Sequence, residues 1–158
     1  MSLAIGTTAP DFSLKAWKDG SIQEVSLSQN RGVKATVLLF IPGAFTTPCT
    51  EEMCSLGVGL RGMGDSGADV WGLSCDTVFS LGAWAKKEEI AIPLLADYEK
   101  SVIALYDVVN PDLAGMGRSS ARAAYVVDKD GVIRYSEQTS ALGVQPDFDA
   151  IVATLRSL

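Results

Sequence analysis

The residues of this chain whose types and spacing best suit chemistry are residues 42–49, which read PGAFTTPC and end in Cys49. A nearly unbroken apolar run over residues 35–41 precedes them, and a sequence typical of a helix follows. Cys49 is therefore expected where a buried strand passes into a helix. The free backbone N–H groups and the dipole of a helix start stabilise a thiolate. The placement predicts a nucleophilic cysteine, whereas a free cysteine elsewhere is more often a small buried apolar residue.

This nucleophile must be activated without histidine, because the 158 residues include none. The absence excludes Ser-His-Asp and Cys-His catalysis and removes the commonest metal ligand. An ordinary thiol is only about 3% thiolate at neutral pH, and a helix start adds about 1 kcal/mol in favour of the thiolate. A cation is needed for the rest. The arginines and lysines are the candidates, and among them Arg118 and Arg134 are expected to be structural or solvent-facing.

Residues 42–49 also have the form P-x-x-x-T-x-x-C, with three fixed residue types at fixed offsets. This form resembles the active-site signature of the peroxiredoxins. The segment around Arg122 resembles the family's strand beside the active-site loop, at the start of which an arginine stands. The resemblance makes Arg122 the best candidate for the activating cation, whereas an arginine at a strand end is otherwise more often solvated. The resemblance covers nearly the whole chain from about Leu3. It is closest in appearance to the bacterioferritin-comigratory-protein and one-cysteine alkyl hydroperoxide reductase E-type branches. It implies a thiol-dependent peroxidase in which Cys49 reduces hydrogen peroxide or alkyl hydroperoxides and becomes a sulfenic acid.

The resemblance assigns roles to the residues around the cysteine. Thr46 and Arg122 bind the peroxide together with Cys49, and they stabilise the charge that develops on the leaving oxygen. Pro42 shields the reactive sulfur from bulk water.

Two further residues match family positions at a greater distance from the sulfur. Glu52 is expected to orient Arg122, with an exposed first-turn glutamate as the alternative. Trp84 is expected near the active-site loop, with plain core packing as the alternative.

Cys54 is the cysteine whose role the sequence leaves open. In the family the sulfenic acid is reduced either by a second, resolving cysteine or by an external thiol. Five residues along a helix give ~7.5 Å of rise and ~140° of rotation, so the Cα atoms of Cys49 and Cys54 would lie roughly 8–9 Å apart, beyond the ~7 Å limit for a disulfide. The bacterioferritin-comigratory branch has the same spacing and resolves by local unwinding, which makes Cys54 the expected resolving cysteine. A structural Cys54 is the alternative, and Cys75 is expected to be structural.

Composition limits the partners and the compartment. Thirteen Lys+Arg against nineteen Asp+Glu give a net charge of -6, which argues against nucleic-acid binding through a general electrostatic footprint. The apolar runs are far shorter than the ~20 residues that span a bilayer, and the first residues lack the basic and apolar regions of a signal peptide. Three cysteines do not suggest a secreted disulfide framework, so we expect a cytoplasmic protein without a membrane partner. We expect no metal or other cofactor, since the weak O–O bond of a peroxide is already electrophilic.

The expected partners are the peroxide, a thioredoxin- or glutaredoxin-like dithiol as reductant, and a second copy of the chain. Phe45 lies in the signature loop, and dimers built around that loop are frequent in the family. A monomer is the alternative, because the bacterioferritin-comigratory branch is often monomeric. A non-enzymatic redox sensor on the same fold is the rival from another class, and it would need neither Thr46 nor Arg122. A thioredoxin-type disulfide reductase is excluded, because residues 46–49 replace C-x-x-C.

The elements that must position these residues are expected to form one domain over residues 1–158, whose 47% hydrophobic composition suits a single core. The patterns predict an N-terminal hairpin with a strand near 9–14 and a turn at 19–20, buried strands at 35–41 and 69–74, a short extended segment at 92–95, helices at about 48–63, 78–88, 98–105 and 147–158, and a second hairpin of 123–127 with 132–136. Glu51 and Glu52 are expected in the first turn of the first helix. This α/β order is compatible with a thioredoxin-like three-layer sandwich with a central mixed β-sheet, the fold that the resemblance implies.

Overall fold

The fold is seen in a computed structural model that describes residues 2–64 and 67–158, with side chains described for all of these except residues 55 and 57–64. The strands are β1 (Ser13–Lys18), β2 (Ser21–Ser26), β3 (Thr36–Phe40), β4 (Asp69–Ser74), β5 (Leu94–Ala96), β6 (Val109–Asn110), β7 (Ser119–Ser120), β8 (Ala123–Val127) and β9 (Ile133–Gln138). The helices are α1 (Thr47–Gly64), α2 (Val78–Glu88), α3 (Ser101–Leu105) and α4 (Phe148–Arg156), with a 3-10 turn at Leu27–Asn30.

A mixed sheet forms the middle layer. Within the described residues, seven strands pair in the order β2-β1-β5-β4-β3-β8-β9. Strand β3 lies inside the sheet, parallel to β4 and antiparallel to β8, and Phe40 at the end of β3 lies opposite Ala123 at the start of β8. The chain segment that leaves β3 and the segment that enters β8 therefore meet at one edge of the sheet.

Buried side chains cover both faces of this sheet, which is why the sequence of β3 is apolar at successive positions. Val37 and Leu39 point into a cluster with side chains of α1, α2 and α4. Leu38 and Phe40 point into the opposite cluster, which includes α3. The resulting three layers confirm the predicted sandwich with a central mixed sheet.

Two boundaries near the N-terminal half differ from the predictions. The first strand begins at Ser13 rather than near residue 9, and the predicted turn follows it at Asp19 and Gly20, both with positive φ. Helix α1 begins at Thr47, one residue earlier than predicted. As a result Glu51 and Glu52 lie in its second turn, and the prediction that they occupy the first turn is wrong.

The third helix also begins later than predicted, at Ser101 instead of residue 98. Lys100 adopts a left-handed conformation with φ 62°, which ends the preceding turn. The carboxylate of the buried Asp97 then accepts the free N–H groups of Val102 and Ile103, at 3.2 and 2.9 Å. Asp97, four residues before α3, thus supplies the hydrogen-bond acceptors that the first N–H groups of this helix need.

Candidate active site

Cys49 lies at the third position of α1 and is fully buried, with 0% of its surface exposed. The first turn of the helix is closed by the N–H of Thr50, which donates to the carbonyl of Thr46 at 2.9 Å. The sulfur is therefore placed beside the N–H groups that a helix leaves without internal partners. This is the helix-start position that the sequence predicted for Cys49.

Arg122 is brought to the sulfur by the antiparallel pairing of β8 with β3. It directly precedes β8, is 1% exposed, and its Nη2 donates to Cys49 Sγ at 3.1 Å. Its Nη1 donates to Glu52 Oε2, and its Nε donates to the carbonyl of Leu142 at 2.7 Å. Three acceptors, two on α1 and one in the loop before α4, fix the plane of the guanidinium, and one edge of it faces the sulfur.

Glu52 lies on the same buried side of α1 as Cys49, one turn further along, and is 0% exposed. Burial raises the pKa of its carboxyl from 4.5 to about 7, and the charge of Arg122 opposes part of that rise. The carboxyl thus titrates near neutral pH while bonded to the cation that contacts the sulfur. The structure excludes the alternative of an exposed glutamate.

Hydrogen bonds from buried and half-buried groups hold the loop between β3 and α1 in place. Pro42 and Gly43 are buried, and the hydroxyl of Thr46 donates to the carbonyl of Gly43 at 2.8 Å. Because a carbonyl only accepts, the hydroxyl proton is already engaged and the oxygen of Thr46 presents lone pairs. The carboxylate of Asp76 accepts the N–H of Ala44 at 2.8 Å.

Phe45, at the tip of this loop, has φ 63°, a left-handed conformation that is uncommon for a residue with a side chain. Its ring is 51% exposed and lies 6.4 Å, centroid to centroid, from the ring of Trp84. Trp84 itself is fully buried on α2, and its Nε1 donates to the hydroxyl oxygen of Thr50 at 3.2 Å. Trp84 is thus both a core residue and a neighbour of the active-site helix.

Three residues that contact this site were not singled out in the sequence. Leu142 supplies a backbone carbonyl to Arg122, and Gln145 donates from Nε2 to the carbonyl of Pro48 at 2.8 Å. Both lie in the loop before α4, and a carbonyl or a lone glutamine gives no signal in a sequence. Asp76 could have been found, because it is a carboxylate just past the end of β4, the strand beside β3.

The other two cysteines lie in different surroundings from Cys49. Cys54 is exposed, on the same helix. Cys75 is half-buried, and burial together with the nearby charge of Asp97 raises the pKa of its thiol to about 11. Cys75 is therefore a neutral thiol at pH 7, and all three cysteines are free.

Among the residues described, no group of three or more Cys, Asp or Glu side chains is arranged to hold a metal ion. In the same part of the chain, no helix has both the length and the apolar character needed to cross a membrane.

Comparisons with known proteins identify the family of this chain. The model of the AhpC/TSA family matches residues 5–136. Mus musculus peroxiredoxin-2 is 36% identical over 82% of this chain and 67% of its own length. The crystal structure of reduced Plasmodium vivax 2-Cys peroxiredoxin superposes with a TM-score of 0.87 at 29% identity, covering 96% of this chain and 80% of that one. Peroxidoxin BcpB from Mycobacterium tuberculosis superposes with a TM-score of 0.84 at 26% identity, covering 100% of this chain and 98% of that one. The chain therefore belongs to the AhpC/TSA family and is a peroxiredoxin.

Proposed function

We propose that this peroxiredoxin reduces hydrogen peroxide or alkyl hydroperoxides through Cys49, with Arg122 as the group that activates the sulfur. The observation that carries the proposal is the 3.1 Å contact between Arg122 Nη2 and Cys49 Sγ, both buried at the start of α1. A permanent cation next to a sulfur at a helix start favours the thiolate over the thiol. A cysteine with only a packing role would not need a buried guanidinium beside it.

In the first step the thiolate of Cys49 attacks one oxygen of the peroxide. An S–O bond forms and the O–O bond breaks, so the sulfur is oxidised to a sulfenic acid. The other oxygen leaves as hydroxide or alkoxide and takes a proton to become water or an alcohol. Arg122 donates hydrogen bonds toward the developing charge, and Thr46 accepts one from the peroxide O–H through its free lone pairs.

The buried state of Cys49 adds a requirement to this step. Since the sulfur is 0% exposed, a peroxide reaches it only when residues of the covering loop shift. Pro42 and Gly43 belong to that loop and are buried, and we assign Pro42 the role of excluding bulk water. Phe45, with a φ of 63°, is where this loop stores backbone strain.

In the second step we assign Cys54 the resolving role. Its thiol attacks the sulfur of the Cys49 sulfenic acid, an S–S bond forms, the S–O bond breaks, and the hydroxyl leaves with the thiol proton as water. An external dithiol of the thioredoxin or glutaredoxin type then reduces the disulfide and is itself oxidised. Cys49 is buried and Cys54 is exposed on one continuous helix, so the disulfide requires the start of α1 to unwind.

The second candidate is a one-cysteine peroxidase, and the separation of Cys49 and Cys54 on opposite sides of an intact helix favours it. Replacing Cys54 by serine distinguishes the one-cysteine cycle from the cycle in which Cys54 resolves. If Cys54 resolves, Cys54→Ser abolishes the intramolecular disulfide seen by mass spectrometry and slows turnover with thioredoxin. Unchanged turnover and no disulfide in the wild type would establish the one-cysteine cycle.

The test of the function as a whole is stopped-flow peroxide consumption. We expect many turnovers per chain with a dithiol donor, and none for Cys49→Ser. A slow, stoichiometric reaction without turnover would instead identify a redox sensor.

For the assembly we propose a homodimer that forms around the active-site loop. The exposed Phe45 supports it, since a half-exposed aromatic on a strained loop is suited to a subunit contact. A cytoplasmic location fits the three free thiols. Sedimentation of the wild type and of Phe45→Ser tests the dimer, which the substitution should weaken.

A further inference from the structure

The first turn of α1 is the part of the helix that its own hydrogen bonds hold least. The leading N–H groups of any helix lack internal partners, and here Pro48 has no N–H at all. Contacts from other elements must therefore hold this turn in place. Two of them involve the neighbours of Cys49 in the chain: Trp84 Nε1 bonds the hydroxyl of Thr50, and Gln145 Nε2 bonds the carbonyl of Pro48.

Of these two contacts, the one from Trp84 ties the helix to the core most firmly. Trp84 is 0% exposed and packs in the cluster with Leu81 and Ala85 of α2, so its ring cannot follow a moving helix. An indole N–H is a donor only, and its partner here is Thr50 Oγ1, 3.2 Å away. If α1 unwinds at residue 50, this buried N–H loses its partner, which is costly.

The same contact does not depend on the chemical state of the sulfur. Arg122 also holds the turn, but it does so through Cys49 Sγ, which changes when the sulfenic acid forms. The hydrogen bond between Trp84 and Thr50 involves neither Cys49 Sγ nor the guanidinium of Arg122. It therefore opposes unwinding equally before and after oxidation.

We propose that Trp84 is a positioning residue that holds the first turn of α1 through Thr50, and that breaking this hydrogen bond limits how fast Cys49 reaches Cys54. The proposal rests on the resolving role of Cys54. Trp84 touches neither the peroxide nor the sulfur, and it acts by setting the population of the unwound helix start.

The test is Thr50→Val, which keeps the side-chain shape but removes the acceptor. The indole N–H is then unpaired in the folded helix as well, so opening no longer costs that bond. We expect the amide hydrogens of residues 50–53 to exchange about five-fold faster or more. We also expect the disulfide, followed by rapid quench and mass spectrometry after one equivalent of hydrogen peroxide, to form faster by the same factor.

Two variants complete the test. Thr50→Ser keeps a hydroxyl and should restore the wild-type rates. Thr154→Val is the matched control, because Thr154 also lies on a helix but bonds only within it, to the carbonyl of Ala150. Thr154→Val should change neither the amide exchange of residues 50–53 nor the rate of disulfide formation.

The proposal is overturned if Thr50→Val exchanges at residues 50–53 within two-fold of the wild type, or if Thr50→Ser behaves like Thr50→Val. The amide-exchange readout does not need Cys54. If the wild type forms no disulfide between Cys49 and Cys54, the resolving role is wrong, and amide exchange still decides whether Trp84 holds the helix start.

Discussion

Replacing Glu52 by glutamine should remove a pH dependence of stability that the buried carboxyl creates. Burial raises the pKa of Glu52 from 4.5 to about 7, so the folded protein binds this proton more tightly than the unfolded chain does. Below pH 4.5 the tighter binding of this proton adds its full contribution to the free energy of unfolding. That contribution is lost as the pH rises to about 7. At about 1.4 kcal/mol per unit, the loss is about 3 kcal/mol across that window.

Glutamine has no proton to lose but keeps an oxygen that can accept from Arg122 Nη1. The free energy of unfolding, measured by urea denaturation from pH 4 to pH 8, should therefore fall by about 3 kcal/mol more in the wild type than in Glu52→Gln. Most of the difference should develop between pH 4.5 and 7. Glu51→Gln is the matched control, since it removes the neighbouring, exposed carboxylate of the same helix. It should keep the wild-type slope.

A pH dependence of the opposite sign, with wild-type stability rising with pH relative to Glu52→Gln, would refute this reasoning. If the attraction of Arg122 outweighed burial, the pKa of Glu52 would be depressed. Wild-type stability would then rise with pH below about 4.5 relative to Glu52→Gln, and it would stay flat above. A flat difference over the whole range would mean that the pKa of Glu52 is not shifted on folding, which also contradicts this reasoning.

The other predictions concern the remaining groups around the sulfur. Arg122→Lys keeps a charge but not the planar fork, and should slow the reaction of Cys49 with peroxide about 100-fold in stopped-flow measurements; a rate within three-fold of the wild type would contradict its role. Thr46→Val removes the acceptor for the peroxide O–H and should slow the same step about ten-fold or more, while Thr46→Ser should recover most of the rate. Asp76→Ala leaves the N–H of Ala44 without its carboxylate and should lower the free energy of unfolding by about 2 kcal/mol in urea and also slow the peroxide step, whereas a loss of stability at an unchanged rate would show that Asp76 does not position the loop.

The sequence predicted the core of the candidate site because its signals are local. Residues 42–49 combine a buried strand end, a proline before the cysteine and a helix start, and each of these constrains the backbone within a few positions. Arg122 could be chosen because its segment resembles the family's strand beside the active-site loop, and the pairing of that strand with β3 brings it to Cys49. The helix bounds of α2 and the bounds of β4 were predicted without error for the same reason.

What the sequence did not predict depends on contacts between distant segments. The carbonyl of Leu142 and the amide of Gln145 reach the site from a loop without periodicity, and any residue type supplies a carbonyl. The pairing of β6 with β7 involves two residues on each side, which is too short for an alternating pattern to be visible. The burial of Glu52 follows from its position facing Arg122, which the family resemblance implied, whereas charge preference alone left an exposed first-turn glutamate open as the alternative.

The central claim is that Cys49, held by Arg122 at the start of α1, is the residue that peroxide oxidises. Adding one equivalent of hydrogen peroxide to the reduced protein in the presence of dimedone, which traps sulfenic acids, and mapping the adduct by peptide mass spectrometry tests it most directly. We predict that the adduct forms on Cys49, and that its formation slows sharply in Arg122→Lys. An adduct on Cys54 or Cys75 with Cys49 unmodified would contradict the account.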